Sequence, residues 1–302
     1  MRQPNKNRPI IYPVASGKGG TGKSTFVSNL GALLARKGNN VVIVDCDLGG
    51  SDLHLFLDTP ETVPNLSDYF NGAITNLKQL LLPTCIKNLN IICGGNEMVG
   101  IAAVSEESIE HLIEKIIELD ADVVLIDLGG GTALNTLEFL SNIKSGILVC
   151  NPQPQSRVGA YGLLKNIIFR SLKNSFRHNE RIQKTLVGFL AGPGRRNGRI
   201  LDLVEKIEKI DTESSDQIIE NLKSFNLSLI LNRVRRRSEI DDINILINLV
   251  REFLSVEIKN LGFLRSDRTV LESCQKRRLF IIDSADAPAS IDLRRITDAQ
   301  FK

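Results

Sequence analysis

The sequence predicts an α/β protein built on a doubly wound, mostly parallel sheet flanked by helices. Three observations carry that expectation. Short apolar runs of strand length recur along the chain, amphipathic stretches of helical period separate them, and a glycine-rich loop joins the first run to the first helical stretch. Runs that are apolar on both faces suit buried parallel strands, which helices cover on either side. Strand and helix alternating over most of a chain is the pattern of the doubly wound class.

The runs are residues 9–15 (PIIYPVA), 40–45 (NVVIVD), 89–93 (LNIIC), 122–127 (DVVLID), 146–150 (GILVC), 186–190 (LVGFL) and 227–232 (LSLILN). Pro13 has no N–H to donate, so the first strand is expected to pair on one side only there. The stretch STFVSNLGALLARKG sets Phe26, Leu30, Leu33 and Leu34 on one helical face and ends at Gly38 as a C-cap. In EESIEHLIEKIIEL, Ile109, Leu112, Ile113, Ile116 and Ile117 form one stripe, which packs on a sheet. Residues 51–57 read as a short helix. Residues 177–223, dense in Arg, Lys and Glu, read as a pair of solvated surface helices, so residues 1–302 are expected to form a single domain.

Composition narrows the function classes. With 42% hydrophobic and 24% charged residues the 302-residue chain suits a soluble globular protein and not a disordered one, and its net charge of +3 is too mild to announce a nucleic-acid binder. No apolar run approaches the roughly 18 residues that span a bilayer, and the first residues lack the apolar core of a signal peptide, so a cytoplasmic location is expected. Five cysteines without a CxxC pair fit a reducing compartment and read as small core hydrophobes. His54, His111 and His178 are isolated and suit neither a metal set nor a triad.

Residues 17–24, GKGGTGKS, satisfy the phosphate-binding pattern G-x-x-x-x-G-K-[ST]. Gly17, Gly19, Gly20 and Gly22 let backbone N–H groups turn inward around phosphates, with Thr21 and Thr25 in the same loop; Lys23 neutralises the outer phosphates and Ser24 holds Mg²⁺. Two later strands end in acids at the edge where ligands bind open α/β sheets. Asp45 and Asp47 follow one, and Asp127 follows the other, ahead of Gly129–Gly131. An acid after four apolar residues is the arrangement that holds Mg²⁺ through water, and the glycines let the backbone approach a γ-phosphate. Asp45, and to a lesser degree Asp47, is also suited by type to capping the short helix that follows.

The second lysine of the loop, Lys18, is not needed to bind a nucleotide. KGGTGKS resembles the deviant Walker A motif of the MinD/ParA ATPases, and the similarity runs from about Ile10 to Ala289. The resemblance implies a P-loop NTPase fold, the cofactors ATP and Mg²⁺, slow hydrolysis and an ATP-dependent homodimer that sandwiches two nucleotides. In it Lys18 reaches across the interface to the partner's phosphates, as an arginine finger does; the alternative is a solvated loop lysine. Asp47 positions the attacking water, and Asp45 supports the Mg²⁺ shell or the loop. Asn232 matches the adenine-contacting asparagine, and Asp267 the aspartate near base and ribose, although the usual proline of that loop is absent. A cap or turn residue is the other reading of both. The lack of an NKxD element favours ATP over GTP.

Residues 80–102 and 120–165 resemble the FlhG/FleN branch, which regulates flagellar number and placement. That branch implies a protein partner that stimulates hydrolysis. The final residues, SIDLRRITDAQFK, have few apolar positions and are expected to add little membrane affinity. Only about eight polar residues precede the first strand, so the N-terminal effector-activating segment of some members is expected to be missing. Three basic clusters (Arg195, Arg196, Arg199; Arg233, Arg235–Arg237; Lys276–Arg278) are either solvated faces or a surface for nonspecific DNA or anionic membrane, with peripheral recruitment to nucleoid or membrane. Rival readings are a metabolic or iron–sulfur assembly ATPase on the same scaffold, which the lack of cysteine after Asp127 disfavours, and a nucleotide-binding scaffold without turnover.

Overall fold

The computed structural model describes residues 8–47, 50, 53–60, 63–95, 104–191 and 198–301. Its strands are β1 (Ile10–Ser16), β2 (Val41–Cys46), β3 (Leu82–Pro83), β4 (Leu89–Ile92), β5 (Val123–Gly130), β6 (Ser145–Cys150), β7 (Asn226–Val234) and β8 (Ile258–Arg265). They form one eight-stranded sheet in the order β3-β4-β2-β5-β1-β6-β7-β8. All pairs are parallel except β3 with β4. Strand residues alternate between two cores, as the two-residue period of a strand requires. Val42, Val44, Val124 and Ile126 point into one, and Val41, Ile43, Val123 and Leu125 into the other.

The second of these cores is covered by α1 (Lys23–Arg36), α2 (Leu53–Phe56), α12 (Phe280–Asp283) and α13 (Pro288–Gln300). The first is covered by α4 (Glu106–Ile117), α5 (Leu134–Ile143), α6 (Pro154–Ser175), α7 (Glu180–Ala191), α8 (Ile200–Glu208), α9 (Thr212–Lys223) and α10 (Ser238–Leu254), with the short α3 (Leu66–Phe70) at its edge. The expected stripe of α4 is buried at Ile109, Leu112, Ile113 and Ile116. Helix α1 stops as anticipated: Gly38, at φ 96°, donates its N–H to the Ala35 carbonyl at 2.9 Å. Pro13 pairs with Ile126 of β5, while pairing with β6 begins only at Val14, so the missing N–H falls where the strand has no second neighbour.

Three expectations are corrected. Residues 186–190 are not a strand; they lie in α7, where Ile182, Leu186 and Phe189 are buried at helical spacing and Val187 is exposed. The polar segment 177–223 carries three helices, α7 to α9, rather than two, and each buries an apolar side against the sheet layer. The strand β8 was not anticipated. Lys259 and Asn260 are exposed along this edge strand, and the register shift beside Gly262, at φ 111°, breaks its alternation. The short helix expected over 51–57 is described only as α2, residues 51 and 52 lying outside the described set.

Candidate nucleotide site

The site forms where β1, β2 and β5 end side by side, and the β1–α1 loop runs over their carboxyl edge. Asp45 of β2 is in register with Asp127 of β5, which is itself in register with Val14 of β1. This position beside the central strand is where an open α/β sheet leaves a crevice for ligands.

The loop is held by backbone approaches that only glycine allows. A Cβ on Gly17 would fall 2.0 Å from the Gly159 carbonyl carbon in α6, and one on Gly22 would fall 2.3 Å from Nδ2 of Asn232. A Cβ on Gly130 would lie 3.0 Å from the backbone nitrogen of Gly19. Gly20 and Gly22 adopt φ of 76° and 90°, a region that side chains disfavour. The Ser16 hydroxyl donates to the Lys18 carbonyl at 2.9 Å, and the Asn232 amide donates to the Thr21 carbonyl at 2.8 Å. No side chain caps the start of α1, so its first N–H groups are left for a ligand.

Inside this loop Lys23 is buried, and its Nζ lies 2.7 Å from Oδ1 of Asp127 and 3.9 Å from Oδ2 of Asp47. Asp45 is buried and accepts the Asp47 N–H at 3.1 Å. Burial pushes the Asp127 carboxyl above its usual range, while the Lys23 ammonium and the Ser24 hydroxyl pull the other way. The Cys46 thiol is pushed well up, first by burial and then by the charges of Asp45, Asp127 and Asp47, with the Lys23 ammonium opposing them.

At this site Oδ2 of Asp127 and Oγ1 of Thr21 are buried with no hydrogen-bond partner among the described residues. An orphaned carboxylate oxygen next to the Ser24 hydroxyl fits a hard divalent cation, and Mg²⁺ takes one or two protein oxygens with phosphate and water completing its shell. Among the described residues no group of three or more His, Cys, Asp or Glu side chains is placed to hold a metal alone, so the phosphates themselves would supply part of the ligand set.

The structure thus brings together Gly17, Gly19, Gly20, Thr21, Gly22, Lys23, Ser24 and Thr25 with Asp45, Asp47, Asp127 and Asn232. Lys18 differs: it is exposed at the loop tip and makes no ion pair among the described residues. Asp267 lies two residues past Arg265, which is in register with Val234, itself two residues past Asn232. It caps α11 (Arg268–Gln275), accepting from the Thr269 N–H at 2.9 Å and the Thr269 hydroxyl at 2.8 Å, and from the Ala289 N–H at 3.3 Å. Two contributors escaped the sequence reading. Gly159 abuts the loop from α6, and Cys274 places Sγ 3.7 Å from the Thr25 hydroxyl oxygen. A glycine inside a long helix is the one signal that pointed to the first; a lone cysteine 249 positions from its contact gave none.

Comparison with known proteins agrees with this geometry. The chain is 28% identical over 168 residues to the antiactivator FleN of Pseudomonas aeruginosa, covering 55% of this chain and 59% of that protein. It is 25% identical over 266 residues to the septum site-determining protein MinD of Buchnera aphidicola, covering 84% and 97%. The chain spans about half the length of the curated relatives it matches at higher identity. Among solved structures, MinD of Pyrococcus horikoshii complexed with Mg-ADP superimposes with a TM-score of 0.67 at 17% identity, covering 97% of this chain and 96% of that one. The family profile described as the CobQ/CobB/MinD/ParA nucleotide binding domain matches residues 12–280. A loop shaped for phosphates and a match over most of its length place this chain in the CobQ/CobB/MinD/ParA nucleotide-binding family.

Proposed function

We propose that this protein is a Mg²⁺-dependent ATPase of low turnover that dimerises with ATP and acts as a positioning switch. The observation that carries the reading is the division of labour between two lysines of one loop. Lys23 is buried against Asp127, whereas Lys18 stands exposed at the loop tip with no ion-pair partner among the described residues. An exposed ammonium beside a phosphate site is placed to serve a second copy, completing that copy's pocket and stabilising charge on the transferring phosphoryl group.

In this mechanism the loop N–H groups and Lys23 bind the triphosphate, which requires Lys23 to exchange Asp127 for phosphate oxygens. Ser24 and Asp127, with Asp45 supporting them, would hold Mg²⁺, which would supply positive charge to the phosphates. Asp47, partly exposed and fixed through its N–H to Asp45, orients the attacking water. Asn232 couples the loop to the end of β7, where the adenine is read. The approach of Gly130 to Gly19 lets the loop after Asp127 respond to the terminal phosphate.

The process we assign to the switch is control of flagellar number or placement, on the similarity to FleN and the branch-like stretches 80–102 and 120–165. It acts through a protein partner that stimulates hydrolysis. A second reading, a partition-type ATPase that holds nonspecific DNA, is favoured by one feature: Arg233, at φ 61°, follows Asn232 directly and opens the exposed run Arg235–Arg237 beside the nucleotide loop. Arg195 and Arg196 lie outside the described residues, and Arg199 is paired with Glu252 at 2.5 Å. Among the described residues no helix is long and apolar enough to cross a membrane.

The test is Asp47→Ala with ATP or ADP, followed by light scattering. The reading expects a dimer that accumulates with ATP and is absent with ADP; a monomer under both conditions contradicts it. Retention of the arrested dimer on duplex DNA, falling steeply with salt, would favour the second reading over the flagellar one.

A further inference from the structure

A cleft of about 700 Å³, lined by no residue of the nucleotide loop, opens between α2 and the turn from α11 to α12. Residues Lys276, Arg277 and Arg278 line one wall in succession, and His54 and Asp58 line the other. Leu279, Phe56 and Ile282 form apolar patches between them. Its volume is that of a small-molecule site.

Two features of the basic turn are unexpected for a merely solvated charge run. Arg277 adopts φ 56°; its N–H donates to the Cys274 carbonyl at 3.0 Å, and the Arg278 N–H donates to the Ser273 carbonyl at 2.9 Å. This is the helix-ending position that glycine normally takes, because any Cβ there is strained. The second feature is pairing. Arg278 is held by Asp283 at 3.3 Å, while Lys276 and Arg277 make no ion pair among the described residues and remain exposed on the cleft wall.

We propose that this cleft binds a small molecule bearing a phosphate or diphosphate group, at a site separate from the nucleotide loop. Arg277 and Lys276 supply the charge, Arg277 by the forked donor geometry that matches phosphate oxygens. Arg278, fixed by Asp283, and His54 across the cleft complete the donors. Asp58 is the acceptor in the opposite wall, and it suits a ligand hydroxyl rather than a second phosphate.

The experiment is calorimetric titration of the full chain with inorganic pyrophosphate, comparing the wild type with Arg277→Gly and Lys276→Ala. The wild type is expected to bind at two classes of site, one at the nucleotide loop and one here. Either substitution should weaken the second class roughly tenfold or more and leave the first unchanged. Arg277→Gly also removes the backbone strain, so its unliganded melting midpoint should rise by about 1–2 °C, which separates lost binding from lost folding. A single class of site, unaffected by both substitutions, overturns the proposal. So does duplex DNA that binds in dependence on Arg277 while pyrophosphate gives no saturable second class.

Discussion

Lys23 and Asp127 form a buried ion pair at 2.7 Å, between side chains only 7% and 1% exposed. The pair ties the start of α1 to the end of β5 and keeps the lysine pointed into the loop. Removing one partner of such a pair leaves a desolvated charge behind.

Asp127→Asn is therefore expected to lower stability by about 2–4 kcal/mol in the absence of nucleotide, somewhat less than a complete loss of pairing because Asp47 remains 3.9 Å from Lys23. Chemical denaturation measures it. The deficit should narrow when nucleotide phosphates give Lys23 a new partner; an equal deficit with and without nucleotide would argue that Lys23 does not move to the phosphates.

Two glycines three positions apart on α6 should respond in opposite directions to alanine. At Gly159 the new Cβ would lie 2.6 Å from the Gly17 carbonyl oxygen, which is backbone and cannot step aside, so we expect a loss of about 1–3 kcal/mol together with weaker nucleotide binding. At Gly162 no atom lies within 4 Å of the added Cβ, and the change should stabilise the helix by about 0.5–1 kcal/mol and leave nucleotide binding alone. Thermal melts and nucleotide titration of the two variants read both effects.

Asp267 gives the fold a calculable dependence on acid. Burial alone would raise its carboxyl, but hydrogen bonds from Thr269 and Ala289 and the charge of Arg265 outweigh it and hold it below the usual range. Since the folded value lies below the unfolded one, the stability it contributes is fully present above about pH 4 and is lost as pH falls through the lowered value. Asp267→Ala should cost about 1–2 kcal/mol at neutral pH, the cost of a lost cap, and the difference from wild type should shrink below about pH 4. A difference independent of pH would mean that the charge plays no part in the cap.

Much of this architecture was legible because buried parallel strands and the phosphate loop both leave strong local patterns. Residues 40–45 and 122–127 could be read as strands, found as Val41–Cys46 and Val123–Gly130, since both faces meet apolar helices. Where one face meets solvent the signal fails: β8 mixes exposed Lys259 and Asn260 with buried Leu261 and bends at Gly262. The run LVGFL is as apolar as a strand, and only Ile182, four residues before Leu186, reveals its helical period. The C-terminal helix was read as weakly apolar; it spends its few apolar groups internally, Leu293 and Ile296 being buried and Phe301 packing edge-on to Tyr12 with ring centroids 5.2 Å apart. Within the site, residue types and spacing marked the loop and the three aspartates. The closeness of Gly159 to Gly17, and of Cys274 to Thr25, depends on how α6 and α11 cross the loop, which no local pattern encodes.

The central claim is that Lys18 works for the neighbouring copy, and complementation tests it most directly. Lys18→Ala and Asp47→Ala should each be nearly inactive in ATP hydrolysis. Mixed in equal amounts, they would form dimers in which the Lys18→Ala subunit keeps its own Asp47 and borrows the other subunit's Lys18, restoring roughly a quarter of the wild-type sites in a symmetric dimer. Activity recovered on mixing is the predicted result; two inactive variants that stay inactive together, while still forming mixed dimers, would contradict the account.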